Sequence, residues 1–179
     1  MSEGGRAVHG MRRQEHVDVV NCVWLSLSSL FFLIPIVVFL RNHKPVQNSL
    51  FSTNVMRVDY ESVLAFILCC NIIVSILCWI HPVKYSIRHL CDLALARISY
   101  VLFTIYVLFI KPFSLKMRAF ALLVCLSVSF LYAVSSLYDG FSQKGWCSSM
   151  PRVIVHSVFH LVASLGCSLA FVPDNYSLF

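Results

Sequence analysis

The sequence predicts an all-α fold, a polytopic bundle of about five transmembrane helices that forms a single membrane domain over residues 1–179. Of the 179 residues, 59% are hydrophobic and only 12% are charged, whereas soluble proteins average about 25% charged residues. The mean hydropathy is +0.79, and five apolar stretches approach the roughly 20 residues that a helix needs to cross a bilayer. Too little polar sequence remains for a sizeable soluble domain, so any functional site must lie among the helices or in short loops.

The first predicted span covers residues 17–40. Arg12 and Arg13 precede it as they would precede a signal peptide, but the segment is long, lacks an A-x-A-like cleavage site and ends at Arg41. We therefore interpret it as a retained transmembrane helix. Pro35 interrupts its apolar run, and we expect this proline to kink the helix.

Four further spans follow, near residues 62–80, 92–110, 118–138 and 153–172. The fourth carries small residues at helical spacing, which allow close packing of helices in a membrane: Ser127, Ala133 and Ser136. Pro173 ends the fifth span. Polar tails flank the bundle at residues 1–16 and 173–179.

An odd number of spans fixes which loops lie together. The N-terminus shares one membrane face with the loops at 81–91 and 139–152, and the C-terminus shares the other face with the loops at 41–61 and 111–117. The basic residues behind the net charge of +6 are distributed over both faces, so the positive-inside rule does not orient the bundle. They form no continuous basic stripe, which argues against nucleic-acid binding.

The chain has eight cysteines. Six lie within the predicted spans, where cysteine behaves as a small hydrophobic residue: Cys22, Cys69, Cys70, Cys78, Cys125 and Cys167. Cys91 and Cys147 lie near or in loops of the same face. They could form a disulfide if that side of the membrane is oxidising.

Ionisable residues inside the spans are few, and each calls for a partner or a function, since burial in hydrocarbon costs about 3 kcal/mol or more. His81 ends the second span, Asp92 begins the third, and His156 and His160 begin the fifth. The sidedness of the loops puts all four at one level, just below the first face. Histidines at positions i and i+4 project from one side of a helix about 6 Å apart. Both imidazoles can therefore bind one metal ion.

A third imidazole from another helix would complete the pattern of a catalytic zinc site, in which the fourth tetrahedral position stays open for water. Asp92 could then take a proton from that water or orient a ligand through its second nitrogen. Two simpler interpretations stay open: the histidines form hydrogen bonds at the headgroup level, and Asp92 pairs with Arg97 or caps the third helix. Haem ligation is not favoured, because His156 and His160 share one helix face and cannot be opposite axial ligands.

Two motifs resemble those of a known superfamily. "HPVKYSIRHLCD" has a histidine followed eleven residues later by an aspartate across a loop, and "HSVFHLVASLG" has H-x-x-x-H-L followed by a small residue and Gly166. Both are similar to motifs of the alkaline ceramidases and of the superfamily that joins them to the adiponectin and progestin receptors, the post-GPI-attachment proteins and the myomaker-like proteins. "VNCVWLSLSSLFFLIP" is more weakly similar to the opening helix of the ceramidases.

The resemblance implies a seven-helix membrane hydrolase that uses zinc to cleave a lipid amide such as ceramide, in the endoplasmic reticulum or the Golgi. Carried onto this chain, the zinc ligands are His81, His156 and His160, and the aspartate that assists the hydrolytic water is Asp92. The family's serine, one turn before the first histidine, is replaced by Leu77. Ser75 is a weak candidate for its role.

The chain departs from that family in having five predicted spans rather than seven. The missing pair falls between the aspartate helix and the H-x-x-x-H helix, so the sidedness of the four site residues is preserved. The cavity must then be smaller, or a second subunit, identical or different, completes it. The sequence is consistent with two functions. One is a zinc-dependent hydrolase of ceramide or another N-acyl lipid. The other is a non-catalytic membrane protein, either a degenerate relative or an assembly subunit, in which the histidines are structural.

Overall fold

The computed structural model describes residues 20–42, 53–80, 86–141 and 150–173. Over these ranges the chain is all-α, with no strand, and five helices are long and apolar enough to cross a membrane. We number them α1 (Val20–Asn42), α2 (Thr53–Ile80), α3 (Ile87–Ile105, extended by a π-helical turn, Tyr106–Ile110), α4 (Leu115–Phe141) and α5 (Met150–Ser168, extended by a 3₁₀ turn, Leu169–Phe171). The protein is a multi-pass membrane protein, as predicted.

Helices α2 to α5 begin earlier than the predicted spans, because polar residues at their N-terminal ends also adopt helical structure. Residues 53–61, predicted as part of a loop, belong to α2. Asp92 lies five residues inside α3 rather than at its start, and Ser86 is the N-cap, accepting a hydrogen bond from the backbone N–H of His89 at 3.3 Å. At 1.5 Å per residue, His160 lies about 15 Å from the start of α5, deeper than the sequence predicts.

Pro35 interrupts the α-helical hydrogen bonds of α1 at one carbonyl. A proline has no N–H for the carbonyl four residues earlier, here that of Phe31. This carbonyl lies in a 3₁₀ turn, Ser29–Phe32, and accepts a hydrogen bond at 2.6 Å from Ser164 Oγ of α5, a fully buried residue. This carbonyl, in the turn that precedes the proline, thus joins α1 to α5.

The helices pack most extensively as the pairs α4–α5, α2–α3 and α1–α5. Gly166 permits the close approach of α5 to α4, since a Cβ at this position would meet Val124 Cγ1 at 3.0 Å. By contrast, α3 meets α4 mainly through the π-helical turn that ends α3. The bundle is therefore closed at that end and more open along the rest of the α3–α4 side.

A buried polar cluster closes the same end. Lys111, only 1% exposed, lies 3.4 Å from Glu61 Oε1 and donates a hydrogen bond to the carbonyl oxygen of Ala170 at the end of α5. The hydroxyl of Tyr106 donates to the same Glu61 oxygen at 2.5 Å, and its ring stacks on Tyr60. These contacts bring the start of the apolar part of α2 and the ends of α3 and α5 together, as the predicted sidedness requires.

Candidate functional site

A cavity of about 470 Å³ lies inside the bundle and extends from the level of Asp92 and His156 to Val107 and Leu169, next to the lysine cluster. All five helices contribute to its wall, which is largely apolar. The sequence-predicted residues Ser75, Asp92, His156 and His160 all line it. Cavities of this size and composition, with a few converging polar groups, are typical of small-molecule and lipid sites.

The two histidines of the H-x-x-x-H motif lie side by side in this cavity. Their ring centroids are 4.5 Å apart, with the ring planes inclined at 62°. The edge of the Trp79 ring system packs against His156 at 5.4 Å, and Phe32 lies 5.4 Å from His160. The pair is therefore fixed among aromatic rings, two to three turns inside α5.

The hydroxyl of Ser28 fixes the tautomer of His160. Ser28 Oγ lies 2.9 Å from Nδ1 of His160 and donates its single proton to the carbonyl of Leu25 at 2.7 Å. Because that proton is already used, Ser28 must accept from Nδ1–H of the imidazole. The lone pair of a neutral His160 is then on Nε2.

A serine hydroxyl also contacts His156, from the other side. Its Nδ1 lies 3.1 Å from Oγ of Ser135 on α4. The two imidazoles thus come from one helix but are held by hydroxyls of two different neighbours, α1 and α4. A hydrogen bond to one ring nitrogen is the usual way in which proteins orient a metal-ligating histidine.

Asp92 and Ser75 line the same cavity as the histidines. Ser75, which is buried, forms a hydrogen bond of 2.9 Å with Ser29 Oγ, and its hydroxyl interacts with the Asp92 carboxylate. The sequence places Ser75 on a helix face away from His81, but the structure brings it to Asp92. Asp92 forms no ion pair with Arg97, whose guanidinium contacts Tyr132 instead, and it does not cap α3.

His81, the predicted third ligand, lies outside the described residues, as does Cys147, the predicted partner of Cys91. Within the described ranges, no group of three or more histidine, cysteine, aspartate or glutamate side chains is arranged to bind a metal ion. His156 and His160 nevertheless fit zinc as a partial donor set, because both anchored Nδ1 atoms leave Nε2 to bind it. In the sequence His81 directly follows Ile80, the last residue of α2.

The cavity opens between α3 and α4. Arg97 and Tyr100 of α3 and Ser129 of α4 line the cavity and are also exposed on the outer surface of the bundle. Tyr100 bridges the two helices, with its hydroxyl 2.7 Å from Ser129 Oγ and 3.1 Å from the Cys125 carbonyl. A lipid can reach the site sideways through this opening.

Sequence reasoning missed the residues that hold the site residues in place. Ser28 and Ser135 anchor the histidines, and Asn71 donates to Ser99 Oγ at 2.6 Å in the cavity wall. The sequence does mark these residues, because a polar side chain inside an apolar span needs a partner. It does not show which serine pairs with which histidine, because the partners lie on different helices.

No protein-family model, curated protein or solved structure matches this chain.

Proposed function

We propose that the protein is a zinc-dependent membrane hydrolase of a lipid amide, similar in chemistry to the alkaline ceramidases and located in the endoplasmic reticulum or Golgi. The observation that carries the proposal is the histidine pair, in which a serine hydroxyl contacts each Nδ1 atom, in a lipid-sized cavity that Asp92 also lines. His156 and His160 would hold the zinc ion together with His81. Bound zinc acts as a Lewis acid that polarises the amide carbonyl and makes water a stronger nucleophile near neutral pH.

Asp92 would act as the general base, because its carboxylate lines the same cavity as the histidines. As water adds to the amide carbonyl carbon, the carboxylate takes its proton, and it then delivers the proton to the amide nitrogen as the C–N bond breaks. The products are a fatty acid and an amine. The Ser29–Ser75 hydrogen bond fixes the hydroxyl next to the carboxylate, so Ser75 orients Asp92 and does not act as a nucleophile.

The shape of the cavity supports a lipid substrate. Apolar side chains such as Leu68, Phe103, Val107 and Val128 form much of its wall and suit an acyl chain, and the polar groups of the wall include Asp92 and the histidines. The opening between α3 and α4 would leave the site accessible from the bilayer.

Removing the hydroxyl that anchors either histidine is expected to weaken zinc binding. Ser28→Ala and Ser135→Ala should each lower the affinity about 10- to 100-fold, because the imidazole loses its orienting partner. Competition with a fluorescent zinc chelator measures this. Ser136→Ala is the matched control, since Ser136 is exposed and bonds only its own helix at Ala133. If Ser135→Ala and Ser136→Ala bind zinc equally well, the hydroxyl has no such role.

Asp92→Asn is expected to retain zinc and lose hydrolysis. The amide is nearly isosteric but cannot take a proton, and general base catalysis contributes about 10²- to 10⁴-fold. The assay is release of fatty acid from ceramide and from N-acylethanolamines by detergent-purified protein with zinc measured in the same sample. Unchanged activity in Asp92→Asn would contradict the role of the carboxylate. A zinc-loaded wild type that cleaves no N-acyl lipid would favour the non-catalytic alternative.

A further inference from the structure

Arg97 is a charged residue in the middle of a transmembrane helix. It is the eleventh residue of the 24 in the third span, Ile87–Ile110, which puts its backbone about 15 Å from the start of α3. Arginine at such a depth is rare and usually faces a cavity or a functional partner, because a lipid-facing charge is unfavourable. The side chain lines the cavity at its opening.

Among the described residues the guanidinium has one hydrogen-bond partner, the hydroxyl of Tyr132 on α4, at 3.4 Å. No carboxylate in these ranges forms an ion pair with it. Tyr132 accepts this hydrogen bond, so its own O–H proton remains available to a further acceptor. The two side chains therefore present several donors and a positive charge to the cavity, without an anion from the described part of the chain to balance them.

This donor pair lies close to the histidine site. The Tyr132 ring packs against Phe159 at 5.9 Å, and Phe159 in turn packs against His160 at 5.5 Å. A single phenyl ring thus separates Tyr132 from the histidines. A molecule that occupies the cavity can reach both places at once.

We propose that Arg97 and Tyr132 form an anion subsite that selects amide lipids carrying a carboxylate on the amine side, that is, N-acyl amino acids. The amide assignment rests on the proposed function. The acyl chain of the lipid is hydrocarbon and carries no charge. If the amide lies at the histidines, a carboxylate bound by Arg97 and Tyr132 on the other side of the Phe159 ring belongs to the amine-derived part of the lipid. Guanidinium binds carboxylate through two parallel hydrogen bonds, and Tyr132 adds a third donor. A neutral ceramide would leave this charge unbalanced.

The test compares two lipids that differ only in the head group, N-oleoylglycine and N-oleoylethanolamine, with oleate as a third. Binding is measured on the full chain in nanodiscs after removal of metal by a chelator, so that zinc and catalysis play no part. We expect wild type to bind N-oleoylglycine at least about tenfold more tightly than N-oleoylethanolamine, the effect of one hydrogen-bonded charge. Arg97→Gln should abolish this preference while retaining N-oleoylethanolamine binding, which also shows that the variant is folded.

Two further variants sharpen the result. Arg97→Lys should retain part of the preference, because the charge remains without the bidentate geometry. Arg118→Gln removes an exposed arginine of α4 outside the cavity and should leave the preference unchanged. Equal binding of the two amides by wild type, or the same preference in Arg97→Gln, would overturn the subsite.

The remaining outcomes separate this proposal from the proposed function. Arg97-dependent binding of oleate that matches or exceeds that of N-oleoylglycine would overturn the assignment to the amine side, because the subsite would then recognise a fatty-acid carboxylate. Hydrolysis is measured separately on zinc-loaded protein. If neither amide is cleaved while the Arg97-dependent preference persists, the hydrolase proposal fails and the anion subsite stands.

Discussion

Lys111→Met is expected to lower the free energy of unfolding more than any other single substitution proposed for this protein. The methionine keeps much of the volume but leaves the Glu61 carboxylate and the Ala170 carbonyl without their cation. Breaking a buried pair by removing one partner costs about 3 to 5 kcal/mol, and the lower value applies here because Glu61 is 19% exposed. Equilibrium unfolding of the detergent-purified protein measures the change in the free energy of unfolding.

Two variants separate the ion pair from a general effect of losing a lysine. Lys116→Met removes an exposed lysine at the start of α4 and should change stability by less than about 0.5 kcal/mol. The double variant Glu61→Gln with Lys111→Met has no carboxylate that lacks its cation. Its loss in the free energy of unfolding should therefore be smaller than the sum of the two single losses. Strict additivity would contradict the coupling of Lys111 to Glu61.

The second large effect is expected at the histidines. His156→Ala and His160→Ala should each remove both bound zinc and hydrolysis, because either change leaves too few ligands for a stable zinc site. Zinc is measured by elemental analysis, and hydrolysis by fatty-acid release from N-acyl lipids. Each variant should lose zinc and stay folded, since it retains the helix packing around Gly166 and Ser164.

His89→Ala is the control for this prediction. His89 lies in the first turn of α3 outside the cavity lining, so its replacement should leave both zinc and hydrolysis at the wild-type level. Size-exclusion profiles establish that all three variants are folded. Equal zinc content in His156→Ala, His160→Ala and His89→Ala would contradict the assignment of the pair as ligands.

The helices were predictable because each one depends on a local property of the sequence. A run of about 20 apolar residues forms a helix in a bilayer whatever its neighbours are, since every backbone polar group must be satisfied within the segment. The errors lie at the ends, where α2 begins at Thr53 and α3 at Ile87. Polar residues continue these helices beyond the apolar runs, so hydropathy alone places the boundaries too late.

The site was only partly predictable, because its contacts join helices that are far apart in sequence. The i and i+4 spacing indicated that His156 and His160 share a face, and the sidedness argument put Asp92 on the same side. The partners Ser28 and Ser135 depend on how α1 and α4 rotate against α5, which no local pattern fixes. Ser75 likewise faces Ser29 and Asp92 because of helix packing, and its spacing from His81 gave the opposite expectation.

The zinc site is tested most directly by the zinc content per chain of protein purified without chelators, for wild type beside His81→Ala. We expect about one zinc ion per wild-type chain and little or none in His81→Ala, since three imidazoles hold a catalytic zinc. Full zinc content in His81→Ala would exclude that residue as the third ligand. A wild-type protein that holds no zinc would contradict the metal site itself, and the histidine pair would then be a structural contact among α1, α4 and α5.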